Sequence, residues 1–217
     1  MNHPFRRRGF LGHMALLATP LLVGRASVLG GQEAGGQDTP WLERLTGRHR
    51  TVFDVETHRG GNALAQADSF LNAWSDAGVP DRDVTLVMGV RGTGLPLVLA
   101  DNVWAKYRIG AQYALSDPRT KQPADRNLFV DANVRPGGPV NARQTIEALQ
   151  KRRVIFLTCM NTITGAARRF AAAGLGAPDD IRAELRDAIV PGVVVVPAMV
   201  VAFTLMQERG VSYVYAG

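Results

Sequence analysis

Short apolar runs alternate with helix-like stretches from residue 51 onward, and this alternation most strongly restricts the fold. The runs have the length of strands and lie at residues 51–55, 84–88, 154–158, 193–196 and 211–215. The most apolar of them are typical of strands that are covered on both faces. Strands that alternate with helices connect into a parallel sheet. We therefore predict an α/β fold, a flavodoxin-like three-layer sandwich with a mostly parallel sheet of about five strands, as a single domain at residues 49–217.

Helical periodicity and turn residues predict the segments between these strands. The first helix follows Gly60 and Gly61 and ends at Gly78. Asp179 is expected to cap a later helix, and residues 91–94 are expected to form a turn. The predicted helices cover residues 62–77, 95–107, 140–151, 161–173, 179–188 and 197–209. Residues 110–139 contain several prolines and glycines and form a predicted insertion loop, longer than most connections in compact domains.

The first 26 residues have the layout of an export signal. Arg6, Arg7 and Arg8 precede an apolar stretch at residues 14–23, which is the order of a signal peptide. Residues 7–11 resemble the motif R-R-x-F-L, which the twin-arginine export machinery reads. The apolar stretch is shorter than the roughly 20 residues of a membrane-spanning helix. We expect a periplasmic protein with a linker at residues 27–48; an uncleaved leader that acts as a membrane anchor is the alternative.

Charge and residue content exclude several classes of function. The net charge of +6 falls to +2 without the four arginines of the first 26 residues, which contain no acidic residue. Such a small charge does not favour a nucleic-acid partner. The four histidines, at positions 3, 13, 49 and 58, do not have the spacing of metal ligands. We expect no metal, no cofactor and, with a single cysteine, no internal disulfide.

Cys159 is the candidate catalytic residue. It stands where the third predicted strand runs into the helix predicted at residues 161–173. Free N–H groups at the start of a helix favour a thiolate, and open parallel sheets bind ligands at this edge. A buried cysteine that only packs well explains the same position. A thiol hydrolase would require His49 or His58 close to the sulfur atom.

Arg91, Asn161 and Thr162 are the candidate binding residues around that cysteine. Arg91 lies in a glycine-rich stretch after the second strand, where its charge would favour a thiolate or an anionic sulfur species. A solvated loop arginine is the alternative. The stretch lacks the spacing of nucleotide-binding loops. Arg168 and Arg169 are expected on the exposed side of the helix that follows the cysteine.

The segment at residues 154–162, VIFLTCMNT, resembles the cysteine segment of the DsrE/DsrF-like family. In that family an apolar strand delivers one cysteine into a helix of small residues. Residues 193–215 are similar to the closing strand, helix and strand of the family, whose L-Q-x-x-G turn corresponds to LMQERG at residues 205–210. Residues 84–94 are similar to its second strand and glycine turn. The resemblance covers residues 50–217, with the insertion at residues 110–139 as its least comparable part.

The resemblance implies a subunit with the fold of the TusD-like sulfur-relay proteins, assembled into a homo-oligomer, a trimer or a hexamer. The matching cysteine of the family accepts sulfur as a persulfide and passes it on, which would assign this role to Cys159. The resemblance implies a sulfur carrier or sulfurtransferase rather than a turnover enzyme. The expected export signal and the insertion at residues 110–139 are departures from the relay proteins of the family, and the signal places the function outside the cytoplasm. The carrier's partner would be a sulfur donor or acceptor protein, or a small sulfur compound. The alternative is a non-catalytic periplasmic binding or scaffold subunit, oligomeric and with a structural Cys159.

Overall fold

A computed structural model describes residues 39–131 and 138–217. The predicted export signal lies outside the described residues. The sheet has five strands, β1 (His49–Thr57), β2 (Val84–Thr93), β3 (Ile155–Cys159), β4 (Val194–Val196) and β5 (Ser212–Tyr215). Every pair of neighbours is parallel, and the order across the sheet is β4-β3-β2-β1-β5. The predicted α/β, flavodoxin-like fold is confirmed.

Six α-helices lie in the described part of the chain, together with short 3-10 turns. They are α1 (Asn62–Asp76), α2 (Ile109–Gln112), α3 (Ile146–Lys151), α4 (Met160–Ala172), α5 (Pro178–Asp187) and α6 (Met199–Gln207). The amphipathic piece expected before the first strand is a 3-10 helix at Pro40–Arg44, whose Trp41 and Leu42 are buried.

The helices form two unequal layers on the faces of the sheet. The apolar residues of α1, α3, α4 and α5 pack with Phe53, Met88 and Phe156 in the larger buried cluster. Helix α6 and the Pro40–Arg44 turn pack on the other face, against Val87 and Leu157. The strand order explains this division. From β1 to β4, each strand is added to the sheet on the same side of the one before it, whereas β5 is added on the opposite side, next to β1. Right-handed crossovers then place α6 opposite to the other helices.

This topology creates a crevice between β3 and β4. The two strands are neighbours, but the chain leaves β3 for α4 on one face and leaves β4 for α6 on the other. In open parallel sheets, such a switch point at the carboxyl ends of the strands is where ligands bind. Helix α6 also sits close to the neighbouring strand β2, since a Cβ on Gly89 would lie 2.6 Å from Cε1 of Phe203.

The prediction of a helix at residues 95–107 is wrong. The structure has two 3-10 turns there, Leu95–Val98 and Asp101–Val103. The buried side-chain amide of Asn127 donates hydrogen bonds to the carbonyl oxygens of residues 96, 97 and 99, which satisfies groups that a helix would pair internally. Trp104 and Tyr107 are core residues, exposed by 0% and 1%.

Three other boundaries differ from the predictions. Residues 91–93 belong to β2, because Thr93 still pairs with Thr57 of β1. Asp179 lies in the first turn of α5, and Ala177 is its N-cap. The stretch predicted as a helix at residues 140–151 is a 3-10 turn, Ala142–Gln144, followed by α3.

Several large apolar side chains are exposed on α6 and on the edge strand β5. They are Val200, Val201, Tyr213, Val214 and Tyr215, with exposed fractions from 39% to 66%. Among the described residues, no helix combines the length and the apolar character that crossing a bilayer requires.

Candidate functional site

A cavity of about 450 Å³ lies at the carboxyl edge of the sheet, at the switch point. Strand β2 contributes its last residues, β3 contributes Cys159, and α4 contributes one face of its first turns. Met199 and Val200 at the start of α6 form the opposite wall. All four residues proposed from the sequence, Cys159, Arg91, Asn161 and Thr162, line this cavity.

Cys159 ends β3 and is the N-cap residue of α4, as the sequence predicted. The residue is only 3% exposed and packs in the cluster that holds α6. Its side chain accepts no capping hydrogen bond from the backbone of α4. The polar contact of the sulfur atom is instead Oγ1 of Thr162, at 3.3 Å. The amides of α4 therefore give the sulfur no direct hydrogen bond, and a hydroxyl is its polar contact.

The Thr162 hydroxyl links the sulfur atom to the β2 edge. Oγ1 accepts a hydrogen bond from the backbone N–H of Gly92 at 3.2 Å. A hydroxyl has one hydrogen to donate, and with Gly92 as donor on one side that hydrogen is free to point at the sulfur. When Cys159 is a thiolate it can only accept, and the Thr162 hydroxyl is then its donor from a fixed position on α4.

Arg91 reaches the cavity, but its charge is already compensated by carboxylates of β1. Its Nε and Nη2 atoms lie 2.8 and 2.9 Å from the two carboxylate oxygens of Asp54, and Nη1 lies 3.0 Å from Glu56. Asp54 is 1% exposed and also accepts a 2.5 Å hydrogen bond from Tyr213. Hydrogen bonding to Asp54 is the main cause that raises the pKa of Arg91. The hydrogen bond from Tyr213 to the same carboxylate is the main cause that raises the pKa of Tyr213 to about 12.

Arg169 is the second arginine at the cavity, and the sequence analysis placed it only on an exposed helix side. Its guanidinium carbon lies 4.2 Å from the centre of the Tyr113 ring. Within residues 39–131 and 138–217 it has no carboxylate partner. Burial raises the pKa of Tyr113, and the charge of Arg169 partly opposes that change. A four-residue spacing could have revealed this position, since Asn161, Gly165 and Arg169 share one face of α4.

Neither histidine of the described residues is a partner of the cysteine. His49 begins β1, at the opposite edge of the sheet, and stacks on Trp74. His58 accepts a hydrogen bond from the Gly60 N–H through Nδ1, and its Nε2 lies 3.0 Å from the carbonyl oxygen of Tyr113. Burial is the main cause that lowers its pKa. The geometry gives no support to a Cys-His hydrolase in this part of the chain.

The polar groups that line the cavity are of the kind that bind an anion. No group of three or more potential metal-ligating side chains occurs among the described residues. The polar groups that face the cavity are hydroxyl, amide and guanidinium donors together with one thiol.

Comparisons with known proteins identify no family for this chain. No protein-family model matches the sequence, and no curated protein is significantly similar to it. The chain is similar to a solved structure described as the protein of unknown function MTH1491 from Methanobacterium thermoautotrophicum, at 17% sequence identity and a TM-score of 0.39. That similarity covers 77% of this chain and 98% of the other. A likeness of this extent says nothing about what the cavity binds.

Proposed function

We propose that this protein is an exported, DsrE-like sulfur carrier that accepts sulfur on Cys159. One observation carries the proposal. The only cysteine lines a cavity at the switch point of the sheet, with the hydroxyl of Thr162 held 3.3 Å from its sulfur atom. The resemblance at residues 154–162 supports the same assignment.

The proposed step is transfer of a sulfane sulfur to the thiolate. The proton of Cys159 passes to solvent, and the thiolate attacks the outer sulfur of a persulfide or of thiosulfate. The sulfur–sulfur bond of the donor breaks, and the released thiolate or sulfite takes the electron pair. Cys159 is left as a persulfide, and transfer to an acceptor thiolate reverses the step. Because the thiolate is the nucleophile in such exchanges, a donor beside the sulfur assists them.

Access to the sulfur requires a side chain of the cavity wall to move. Met199 shares both the cavity and the apolar cluster with Cys159. Its unbranched side chain has several rotatable bonds and adapts its packing easily. A movement of Met199 would then open the sulfur to the cavity without a change in the sheet.

Intact-mass spectrometry tests the proposal. After incubation with thiosulfate or polysulfide, the protein gains the mass of one sulfur atom, and a reducing agent removes it. The Cys159→Ser variant gains nothing. Absence of any added sulfur, at donor concentrations that load a free cysteine peptide, contradicts the proposal.

A non-catalytic binding or scaffold subunit is the second candidate, and the 3% exposure of Cys159 favours it. In that case the thiol resists every reagent until the protein unfolds. Cys159→Ala then leaves all binding properties unchanged and lowers only the stability.

We propose a periplasmic protein that leaves the cytoplasm through the twin-arginine machinery and forms a homo-oligomer. The exposed apolar residues of α6 and β5 are the surface on which a second copy would bury area. Sedimentation of the wild-type protein and of a Val200→Lys variant tests the oligomer. A monomer in both cases contradicts it.

A further inference from the structure

We infer that Arg169 is the anion-binding residue of the cavity, and that the sulfur compound bound there carries a carboxylate. This inference rests on the proposed function, because it names the class of molecule that would meet Cys159. Three features of the described residues lead to it: the state of the two cavity arginines, the support under Arg169, and the open floor between Arg169 and the thiol.

The two arginines of the cavity differ in what already binds them. Two carboxylates hold Arg91 through three hydrogen bonds. Arg169 has an aromatic ring beneath it and, in the described part of the chain, no carboxylate. Of the two cavity arginines, Arg169 is therefore the one whose charge no carboxylate of the described residues already compensates.

Arg169 is also held in position before any ligand binds. Tyr113 is 7% exposed, and its ring lies at 6.3 Å and nearly perpendicular to that of Phe170. A guanidinium over a fixed aromatic face loses part of its freedom in advance, and its planar donors suit a carboxylate. Less conformational entropy is then lost when the anion binds.

The floor of the cavity leaves room between the two groups. Gly165 lies on α4 between Thr162 and Arg169, and a Cβ on it would meet nothing within 4 Å. Arg169 follows Thr162 by seven positions, which is about 10 Å along the helix axis. Arginine side chains on a helix lean toward its N-terminus, so the span is shorter than that. The cavity thus fits a molecule with sulfur at one end and a carboxylate on the order of 10 Å or less away, which thiosulfate does not provide.

Two disulfide reagents of different charge test the inference. The thiolate of Cys159 attacks one sulfur of the reagent, the reagent's disulfide bond breaks, a mixed disulfide forms and an aryl thiolate leaves with the electron pair. The anionic reagent is 5,5′-dithiobis(2-nitrobenzoate) and the neutral reagent is 2,2′-dithiodipyridine. Each is used on the wild-type protein, on Arg169→Gln and on the matched control Arg168→Gln, which removes the same charge from an exposed neighbour outside the cavity.

We expect Arg169→Gln to slow the anionic reagent about tenfold, since a charge-assisted hydrogen bond is lost. Its rate with the neutral reagent should stay within about twofold, and Arg168→Gln should change neither rate by more than that. Equal slowing of the anionic reagent in both variants would assign the effect to overall charge and overturn the inference, as would no slowing in either.

A second measurement separates this inference from the proposed function. If wild-type Cys159 reacts with neither reagent, the sulfur-carrier proposal fails. The anion site is then tested in Cys159→Ser protein by calorimetric titration with S-methylglutathione, which carries carboxylates and no free thiol. Binding that Arg169→Gln abolishes and Arg168→Gln preserves supports the site, whereas equal binding, or none, in all of these proteins contradicts it.

Discussion

At the carboxyl edge of the sheet, the half formed by β1, β2 and β5 has its charged groups paired, whereas the half formed by β3 and α4 leaves its polar groups facing a cavity. In the paired half, Asp54 and Glu56 share Arg91, and two tyrosine hydroxyls complete the network. In the open half, Thr162 contacts the thiol, and Arg169 lies against the rings of Tyr113 and Phe170. The difference shows that two arginines at one cavity can be in opposite states, Arg91 with its charge compensated by carboxylates and Arg169 without such a partner among the described residues.

Removal of Asp54 should have the largest effect on stability. Asp54→Ala leaves Arg91 and the Tyr213 hydroxyl without their buried acceptor, and breaking such a pair costs about 3 kcal/mol. Urea unfolding measures the loss in the free energy of unfolding. Arg169→Ala, in the open half, should lose no more than about 1 kcal/mol. Similar losses in the two variants would erase the contrast between the two halves.

Gly89 and Gly165 allow a tightly packed position to be compared with an open one. Gly89→Ala places a Cβ 2.6 Å from the buried Phe203 ring, so the ring or α6 must shift, and we expect a loss of about 2 kcal/mol from overpacking. Gly165→Ala meets nothing within 4 Å and improves the helix, with an expected gain of about 0.5–1 kcal/mol. Thermal unfolding of both variants checks the signs. A destabilised Gly165→Ala would mean that the floor of the cavity is not open.

The hydroxyl of Thr162 should affect reactivity rather than stability. Thr162→Val keeps the shape of the side chain and removes the donor beside the sulfur. We expect its reaction with 2,2′-dithiodipyridine to slow about tenfold, the value of one hydrogen bond to a charged group. Thr162→Ser retains the donor and should react within about threefold of the wild-type rate. Equal rates for the valine and serine variants would contradict a role of the Thr162 hydroxyl in the reactivity of Cys159.

The smallest expected effect is a pH dependence from His58, which lies beside Tyr113 and outside the charged network. Burial lowers the pKa of His58 below its ordinary value of 6.5, so the unfolded chain binds the proton more readily than the folded one. Its contribution to stability is fully present above pH 6.5 and is lost as the pH falls below that value. Urea midpoints of wild type and His58→Gln between pH 8 and pH 5 test this. Parallel curves for the two proteins would contradict it.

The sequence predicted the sheet well because apolar runs and helical periodicity are local signals. Four of the five strands begin within one residue of their predicted start, and Cys159 lies at the predicted strand end. The helix prediction for residues 95–107 failed because their conformation depends on the side-chain amide of Asn127. That residue is distant in sequence and gives no local signal.

For the site, the sequence predicted which residues meet but not how they are bonded. Cys159, Arg91, Asn161 and Thr162 do line one cavity. The pairing of Arg91 with Asp54 and Glu56 depends on the register of β1 against β2, which no short motif encodes. For the same reason, the sequence could not show that Arg169 differs from Arg91 in having no carboxylate partner among the described residues.

Alkylation of Cys159 by iodoacetamide is the most direct test of the central claim that the open half holds a usable thiol. The account predicts that the folded wild-type protein reacts at a rate within about tenfold of the urea-unfolded chain, and that the rate does not follow global unfolding. A folded-state rate suppressed by several orders of magnitude, rising only with the unfolded fraction, would show that Cys159 is a packing residue and contradict the account.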